Sequence, residues 1–391
     1  MNRSIIHLNI ADFAVAVETN MQPSLKNYPL IIAPFGAPRA VVYDMSEEAY
    51  KEGIRKGMPL TRAKRLNKKI KILPPRFNRY EQVMKDLLKE TFAFTPLIES
   101  GTTDGHIFLD VTGSGRLFGP SVNVAFKLKK IFKKMFNFDP IWSVATNKLV
   151  AKVATRMVKP IGEYIVAPGE EKAFLAPLPV RLIPGLVKTD LTKLYAFNLL
   201  YVSQARALTL DQLKIPFHQR APLIYDRIRG IDPAPVTRFC ETRSIIRPDH
   251  EFASDTNNAI LLKKALFLLI EKICKTLRDR KLNGAAAKII LLYSDGLQSA
   301  SRLKLTPSTS NDYTLFKKCL PLLYKAWTRR VRIRHMCLTC EKLSLQNMQK
   351  ELFFDRTKEV QQTGLIQTMD KIRKKFGKNS IKTGLTLMGE S

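Results

Sequence analysis

A short apolar run at the start of the chain has its partners far downstream, and this constrains the fold most. IIHLNI (Ile5 to Ile10) reads as a buried strand, and Asp12 to Thr19 as the start of a helix. Leu97 to Glu99 and His106 to Val111 read as a strand pair behind Asn9. Between them, Pro23 to Pro75 alternates short strands (LIIAP, AVVYD) with a helix around Ser46 to Arg55, and GMPLTRAKRL opens another. From Phe77 the pattern is a long amphipathic helix, the strand pair, a basic helix over Lys127 to Met135 and a strand at Ile141 to Val144. This is a mixed α/β unit.

A helical unit begins near Pro168. LIPGLVKTDLTKLYAFNL reads as two helices about a Pro184-Gly185 hairpin, and Leu208 to Arg229 adds more helix. IDPAPV (Ile231 to Val236) has the stiffness and lost periodicity of a linker. The next segment has a βαββαβ order. Thr242 to Arg247 is its first strand, and Asn257 to Arg280 a helix with Leu262, Leu266, Leu269, Ile273 and Leu277 on one face. Ala287 to Tyr293 and Arg302 to Leu305 are strands about a Ser-Asp-Gly turn. Leu315 to Trp327 is a helix and Val331 to Leu338 a strand. In the tail, Leu365, Met369, Ile372 and Phe376 form the stripe of a short helix that Gly377 caps.

The 391 residues are enough for two to four domains, and 45% hydrophobic content fits a globular chain. Lys and Arg number 65 against 34 acids, a formal charge of +31. Such an excess suits a polyanionic partner, because each neutralised phosphate releases a counterion; a solvated basic surface or an anionic membrane stands as the alternative. Nine basic residues face Glu52 between Lys51 and Lys71, and nine face Asp139 between Ser121 and Pro160. The five scattered cysteines describe no disulfide framework, and Cys337-x-x-Cys340 lacks a second pair for zinc. His7, Asn9 and Asp12 interrupt the apolar N-terminus, so no signal peptide is expected; neither is a membrane span, and the expected location is cytoplasmic, with the nucleoid.

In order and spacing, several motifs together are similar to the Y-family translesion DNA polymerases of the DinB/UmuC type. They are His7-Leu8-x-Ile10 with Phe13 and Glu18, Gly57-Met58-Pro59, Leu109-Asp110-Val111-Thr112, Asn147-Lys148-x-x-Ala151-Lys152-x-Ala154, Lys159-Pro160 and Pro184-Gly185. The resemblance implies α/β and α+β domains in a right-hand polymerase. The palm would take 1–15 and 76–165, the fingers 16–75, a helix-hairpin-helix thumb 166–231 and a linker 232–241. A βαββαβ little finger would take 242–341, and 342–391 would be a clamp-binding tail.

The family's chemistry asks for carboxylates that hold two Mg²⁺ ions, hard cations that take anionic oxygen. The resemblance puts Asn9 and Ala11 at the first strand's acids, and Gly105 and His106 at the second strand's. Asp12 and Asp104 are candidates for displaced acids. The nucleotide-pocket positions are also altered. Ala14 stands where the family has its sugar gate, and Glu47 and Tyr50 where a Tyr and an Arg grip the triphosphate; Lys148 matches a phosphate-contacting Lys. TDGHIFLDVTGSGRLFGP is similar to the catalytically deficient ImuB-like branch, which implies a sliding clamp, a RecA-like accessory protein and an error-prone polymerase as partners. The expectation is therefore a non-catalytic, metal-free scaffold on damaged or primer-template DNA. The alternatives are an active error-prone polymerase using Mg²⁺, and a basic DNA-binding protein without clamp contact.

Sequence-independent DNA contacts are expected at Lys148, Lys152, Gly185, Arg332 and Arg334. Gln349-Lys350-Glu351-Leu352-Phe353-Phe354 fits Q-x-x-L-x-F, the sliding-clamp peptide. There Leu352 and Phe354 supply apolar anchors, each worth roughly 1.5–3 kcal/mol before ordering costs, Gln349 makes polar contacts, and Phe353 belongs to the same clamp-binding peptide.

Overall fold

The computed structural model describes residues 3–34, 39–237, 245–345, 357–377 and 380–384. It divides into two units, Met1–Glu241 and Thr242–Ser391.

In the first unit, β1 (Ile5–Asn9) leads to α1 (Phe13–Met21). A small sheet follows from β2 (Leu30–Ile32), β3 (Asp44–Met45) and β4 (Lys71–Leu73), with α2 (Glu47–Lys51) and α3 (Leu60–Leu66) between the last two. Its order is β3-β2-β4. Then come α4 (Phe77–Thr91), β5 (Ile98–Ser100), β6 (His106–Asp110), α5 (Gly115–Phe118), α6 (Ser121–Phe136), β7 (Ile141–Ala145), α7 (Lys148–Met157) and β8 (Glu163–Ile165). These strands join β1 in the order β5-β6-β1-β7-β8, so the first strand is the centre of the sheet. Both neighbours, β6 and β7, run antiparallel to it.

Strand alternation gives this sheet two unlike faces. Ile6, Leu8, Ile107, Leu109, Trp142 and Val144 point one way and form a core with Tyr80, Met84, Leu87 and Leu88 of α4 and Leu128 and Phe132 of α6. Glu18 anchors α1 to that layer: its buried carboxylate accepts from Arg76, Arg79 and the Tyr80 hydroxyl at 3.0–3.1 Å. The opposite face carries His7 and Asn9, paired in register with Phe108 and His106. Helix α7 lies against this polar face, where His7 Nδ1 meets Thr155 Oγ1 at 2.8 Å and the Ser143 hydroxyl donates to Ala151 O at 2.7 Å.

Helices α8 (Glu171–Leu175), α9 (Lys188–Ala196), α10 (Val202–Arg206), α11 (Leu210–Phe217) and α12 (Ala221–Ile228) share one core with Leu149, Val150 and Val153 of α7. The segment that IDPAPV marks as a linker follows α12. It straps back onto the sheet: Asn147 Nδ2 donates to Gly230 O, Arg3 to Ala234 O, and Val236 packs with Ile5 and Phe108. Proline stiffness here serves an extended, packed path.

The second unit contains β9 (Ile245–Ile246), β10 (Asp249–Thr256), α13 (Ala259–Asp279), β11 (Leu282–Tyr293), β12 (Gln298–Thr309), α14 (Asp312–Ala326), β13 (Ile333–Leu345) and α15 (Thr357–Phe376). The antiparallel sheet has the order β10-β13-β11-β12, with β9 on β13. Leu266, Ile270, Ile273 and Leu277 of α13 fill one core with Leu315 and Leu323 of α14 and with Ile289, Leu291 and Leu338 of the sheet. Cys337 and Cys340 are both buried free thiols in β13, with no metal cluster among the described residues. The tail helix turns a different face inward from the stripe read in the sequence. Ile366 and Met369 are buried, whereas Leu365 and Phe376 are exposed. Its rotation agrees with two ion pairs to α13 residues, Asp370–Arg278 and Arg373–Glu271, at 2.8 and 2.9 Å.

Candidate active site on the polar sheet face

Gly105 sits where β6 begins, and its backbone decides what this position can hold. It has φ +72°, and its carbonyl accepts from Ile10 N at 3.0 Å. A Cβ there would lie 2.7 Å from Ile10 O and 2.8 Å from Phe13 Cβ. No side chain fits without moving the main chain. Asp104 is exposed, folds back over Gly101, and accepts from His106 N at 3.2 Å.

Asn9 and His106 face each other across β1 and β6. Asn9 is 2% exposed, and its Nδ2 has no hydrogen-bond partner. His106 Nδ1 lies 3.0 Å from His7 Nε2, so one ring donates to the other. Burial, then the charge of His106, holds His7 well below the usual imidazole range. Burial, then the charges of Lys152, Lys159, Arg156 and Lys56, pushes His106 down to about 3. The pair is therefore neutral at ordinary pH.

Asp44 is buried and forms the floor beside α1. Its carboxylate accepts from Ala14 N at 2.9 Å, and Lys56 Nζ lies 2.7 Å from Asp44 and 3.5 Å from Asp12. Burial would lower Lys56, but the two carboxylates outweigh it and raise the ammonium above its ordinary range. Burial, then the charge of Asp44, raises Asp12. Ala14 is fully buried and Ala11 partly so. Glu47 opens α2 behind the Ser46 cap. Tyr50 is exposed, with the Arg55 guanidinium 3.8 Å over its ring.

The structure brings Asn9, His106, Asp12 and Lys152 into one neighbourhood and gives Lys148 another task. Lys148 Nζ lies 2.7 Å from Glu99, whose carboxylate also accepts from Thr237 N and Oγ1, so this lysine pins the strap. Gly185 is exposed with φ +91°, and its carbonyl accepts from Arg220, which also grips Asp190. Arg332 is exposed just before β13. Arg334 is turned inward: it donates to Ser294 O at 2.7 Å and lies 3.6 Å from Asp255. Lys288, Arg302 and Lys304 also share a face of that sheet, where Arg302 pairs with Glu341, and only the alternation of Arg302 and Lys304 signals them in the sequence. His7, Thr155, Arg156 and Lys159 also belong to the first unit's site. Gln349, Leu352, Phe353 and Phe354 lie outside the described residues.

The impB/mucB/samB family model matches residues 8–156, and the model of that family's C-terminal domain residues 244–352. The chain is 30% identical over 387 residues to DNA polymerase IV of Dehalococcoides mccartyi, covering 98% of this chain and 97% of that protein. It belongs to the Y-family of DNA polymerases, among the DinB/UmuC-type homologues. Within the Y-family, DNA polymerase IV of Desulfatibacillum aliphaticivorans is 29% identical over 96% of this chain and 95% of its own length. The fold matches a Y-family chimera of Dbh and Dpo4 with a TM-score of 0.76 at 19% identity, over 88% of this chain and 99% of that one. It matches the insertion ternary complex of Dbh DNA polymerase with a TM-score of 0.64 at 19% identity and the same coverage. The right-hand polymerase fold read in the sequence is therefore present.

These relatives correct the expectation of a non-catalytic scaffold: the proteins that align along nearly the whole chain are DNA polymerases. The RecA-like protein and partner polymerase came only from the ImuB-like branch, and no relative among these singles that branch out.

Mg²⁺ is the cation the family implies, and the residues present do not fit a two-ion site. The positions that the sequence resemblance assigns to its ligands hold an amide, a glycine without room for a side chain, and a neutral imidazole. Asp12 and Asp44 are engaged by Lys56, and no three His, Cys, Asp or Glu side chains converge among the described residues.

Two outcomes follow. Gly105→Ala should lower stability by about 1–3 kcal/mol or more in urea denaturation, from the left-handed backbone and the clash at Ile10. The two depressed histidines bind protons more readily unfolded than folded. Stability should therefore be steady above pH 6.5 and fall as pH drops toward about 3. The slope should be on the order of 1 kcal/mol per pH unit for each ring, and His106→Gln should flatten it.

Proposed function

We propose that the chain is a DNA-directed DNA polymerase of the translesion kind, which binds primer-template DNA without reading its sequence and extends primers past damage. The observation that carries this is colinearity with DNA polymerase IV over 98% of the chain. The net charge of +31 and the exposed Lys304 support phosphate contact, and such a chain would work on DNA in the cytoplasm. Because an amide, a glycine and an imidazole stand at the positions the resemblance gives to acids, the reading places weight on the exposed Asp104 beside β6, since Asp12 is held by Lys56. We further propose that Gln349 to Phe354 binds the sliding clamp, since the peptide follows the second unit's last strand. Any closer kinship with the ImuB-like branch rests on the stretch TDGHIFLDVTGSGRLFGP.

The test is primer extension by the full chain with Mg²⁺ or Mn²⁺. Templated incorporation is expected, falling at least tenfold in Asp104→Ala and unchanged in Asp139→Ala; no incorporation with either cation overturns the catalytic reading. DNA affinity should fall steeply with salt, by about 10³-fold or more between 50 and 200 mM if six or more phosphates are contacted. Affinity indifferent to salt in a filter-binding series would remove the basic surfaces from the argument.

A further inference from the structure

Helices α6 and α7 cover opposite faces of the first unit's sheet, so the outer side of α6 looks away from the polar face that carries Asn9 and His106. Val124, Leu128 and Phe132 of α6 point into the core, and Phe126, Lys127, Lys130, Lys133 and Lys134 are exposed along its other side. Spacings of three and four residues keep Lys127, Lys130 and Lys134 on one helix face, about 4.5 and 6 Å apart along the axis. No acid occurs between Ser121 and Asn137. Asp139, just beyond the helix, takes up Lys129 and Lys133 at 3.4 Å. Among the described residues, Lys127, Lys130 and Lys134 have no carboxylate within ion-pair distance. The neighbouring α4, in the same layer, has the mixed signs of an ordinary solvated face: Glu81, Asp86 and Glu90 alternate with Lys85 and Lys89, and Lys89 pairs with Asp86 at 2.7 Å. Two further features bear on what α6 binds. Phe126 stands among the lysines, 45% exposed, with Lys130 Nζ 4.5 Å from its ring centroid. Past the helix end, Asn137 and Asp139 line a hollow of about 170 Å³ together with Ile10, Ala11, Asn20 and Lys26. The lysine stripe therefore runs along the outside of the unit toward the end of β1.

We propose that the outer face of α6 is a track for an unpaired strand of DNA, separate from the duplex that the polar sheet face would hold. Phosphates of that strand lie along Lys127, Lys130 and Lys134, and one base stacks on Phe126 in place of the Lys130 ammonium. Charge argues for a polyanion, because a row of unpaired lysines with no acid between them gains by releasing the counterions of a phosphate chain. The ring argues for a single strand. Bases in a duplex are stacked on their neighbours, whereas an unpaired base offers a free π face, and stacking on an aromatic ring is indifferent to sequence. The layer argues for a second path, since the sheet and its core lie between this face and His106, and a straight duplex on the polar side does not reach it. The choice of DNA rests on the polymerase reading, which supplies a template whose unprimed part is single-stranded.

The experiment is fluorescence anisotropy of a short labelled oligo-dT with the full chain, in the presence of a saturating, unlabelled, blunt hairpin duplex. Oligo-dT binding should persist beside the hairpin. The triple variant Lys127→Ala/Lys130→Ala/Lys134→Ala should weaken it about tenfold or more, and should lower the slope of log affinity against log salt by about two, because three fewer phosphates are met. Phe126→Ala should weaken oligo-dT about fivefold or more and leave the hairpin unaffected. Replacing the same three lysines by arginine should retain binding, and Lys85→Ala on α4 should leave it unchanged. Oligo-dT that is displaced by the hairpin, or that binds the triple alanine variant as tightly as the parent, overturns the proposal. So does an equal loss of hairpin and oligo-dT affinity in that variant, which would make α6 part of the duplex site. Tight binding of oligo-glutamate through the same lysines, with Phe126→Ala leaving oligo-dT unchanged, would give the face to an acidic protein segment and overturn the assignment to DNA. The two readings fail separately. Lysine-dependent oligo-dT binding without primer extension removes the polymerase activity and keeps this track, while extension with lysine-independent binding does the reverse.

Discussion

The close approach of Gly105 to Ile10 and Phe13 is the contact on which the site depends. The Ile10–Gly105 hydrogen bond closes the sheet where α1 begins, and the two backbones can approach because no Cβ intervenes. Once that backbone is fixed, Asp104 is directed onto its own loop and His106 is the first side chain to face Asn9. The glycine is therefore more than an acid that has been removed. The local main chain is built around its absence of a side chain, and a carboxylate has no space there.

The neutral histidine pair follows from the same geometry. His7 is fully buried between Thr155 and Phe108, with ring centroids 4.2 Å apart in the latter case. An imidazolium in that place would be desolvated and repelled by the α7 cations, so both rings stay uncharged. Positive charge is thus kept on flexible lysine and arginine ends, where an anion can reach it. Around Asp44 the balance is opposite: a buried carboxylate is tolerated because Lys56 and two backbone amides meet it.

Much of the frame was legible because its signals are local. Leu262, Leu266, Leu269, Ile273 and Leu277 mark α13 by period alone, and the helix spans Ala259–Asp279. The central strand announces itself through apolar residues at Ile5, Ile6 and Leu8. Strand β10 carries only Phe252 buried among polar residues, so its sequence gives no alternation to read. The tail helix kept its period but not its phase: Ile366 and Met369 turn inward, and Asp370 and Arg373 find charged partners on the same side. In the IDPAPV segment, the proline signal is the same for a free and a packed chain, and only Val236 meeting Ile5 and Phe108 separates them.

The sequence by itself determined most of the order of strands and helices, the excess of positive charge, and the residue types Asn9, Gly105 and His106 on the paired strands. Those are properties of residue type and spacing along the chain. Tertiary structure alone decided that Gly105 has no room for a side chain, that Lys148 is committed to Glu99, that Arg334 is half-buried against Ser294 and Asp255, and that Lys152, Arg156 and Lys159 bear on the buried His106. These depend on distances between segments far apart in sequence, and such distances exist only once the sheet and its covering helix have packed.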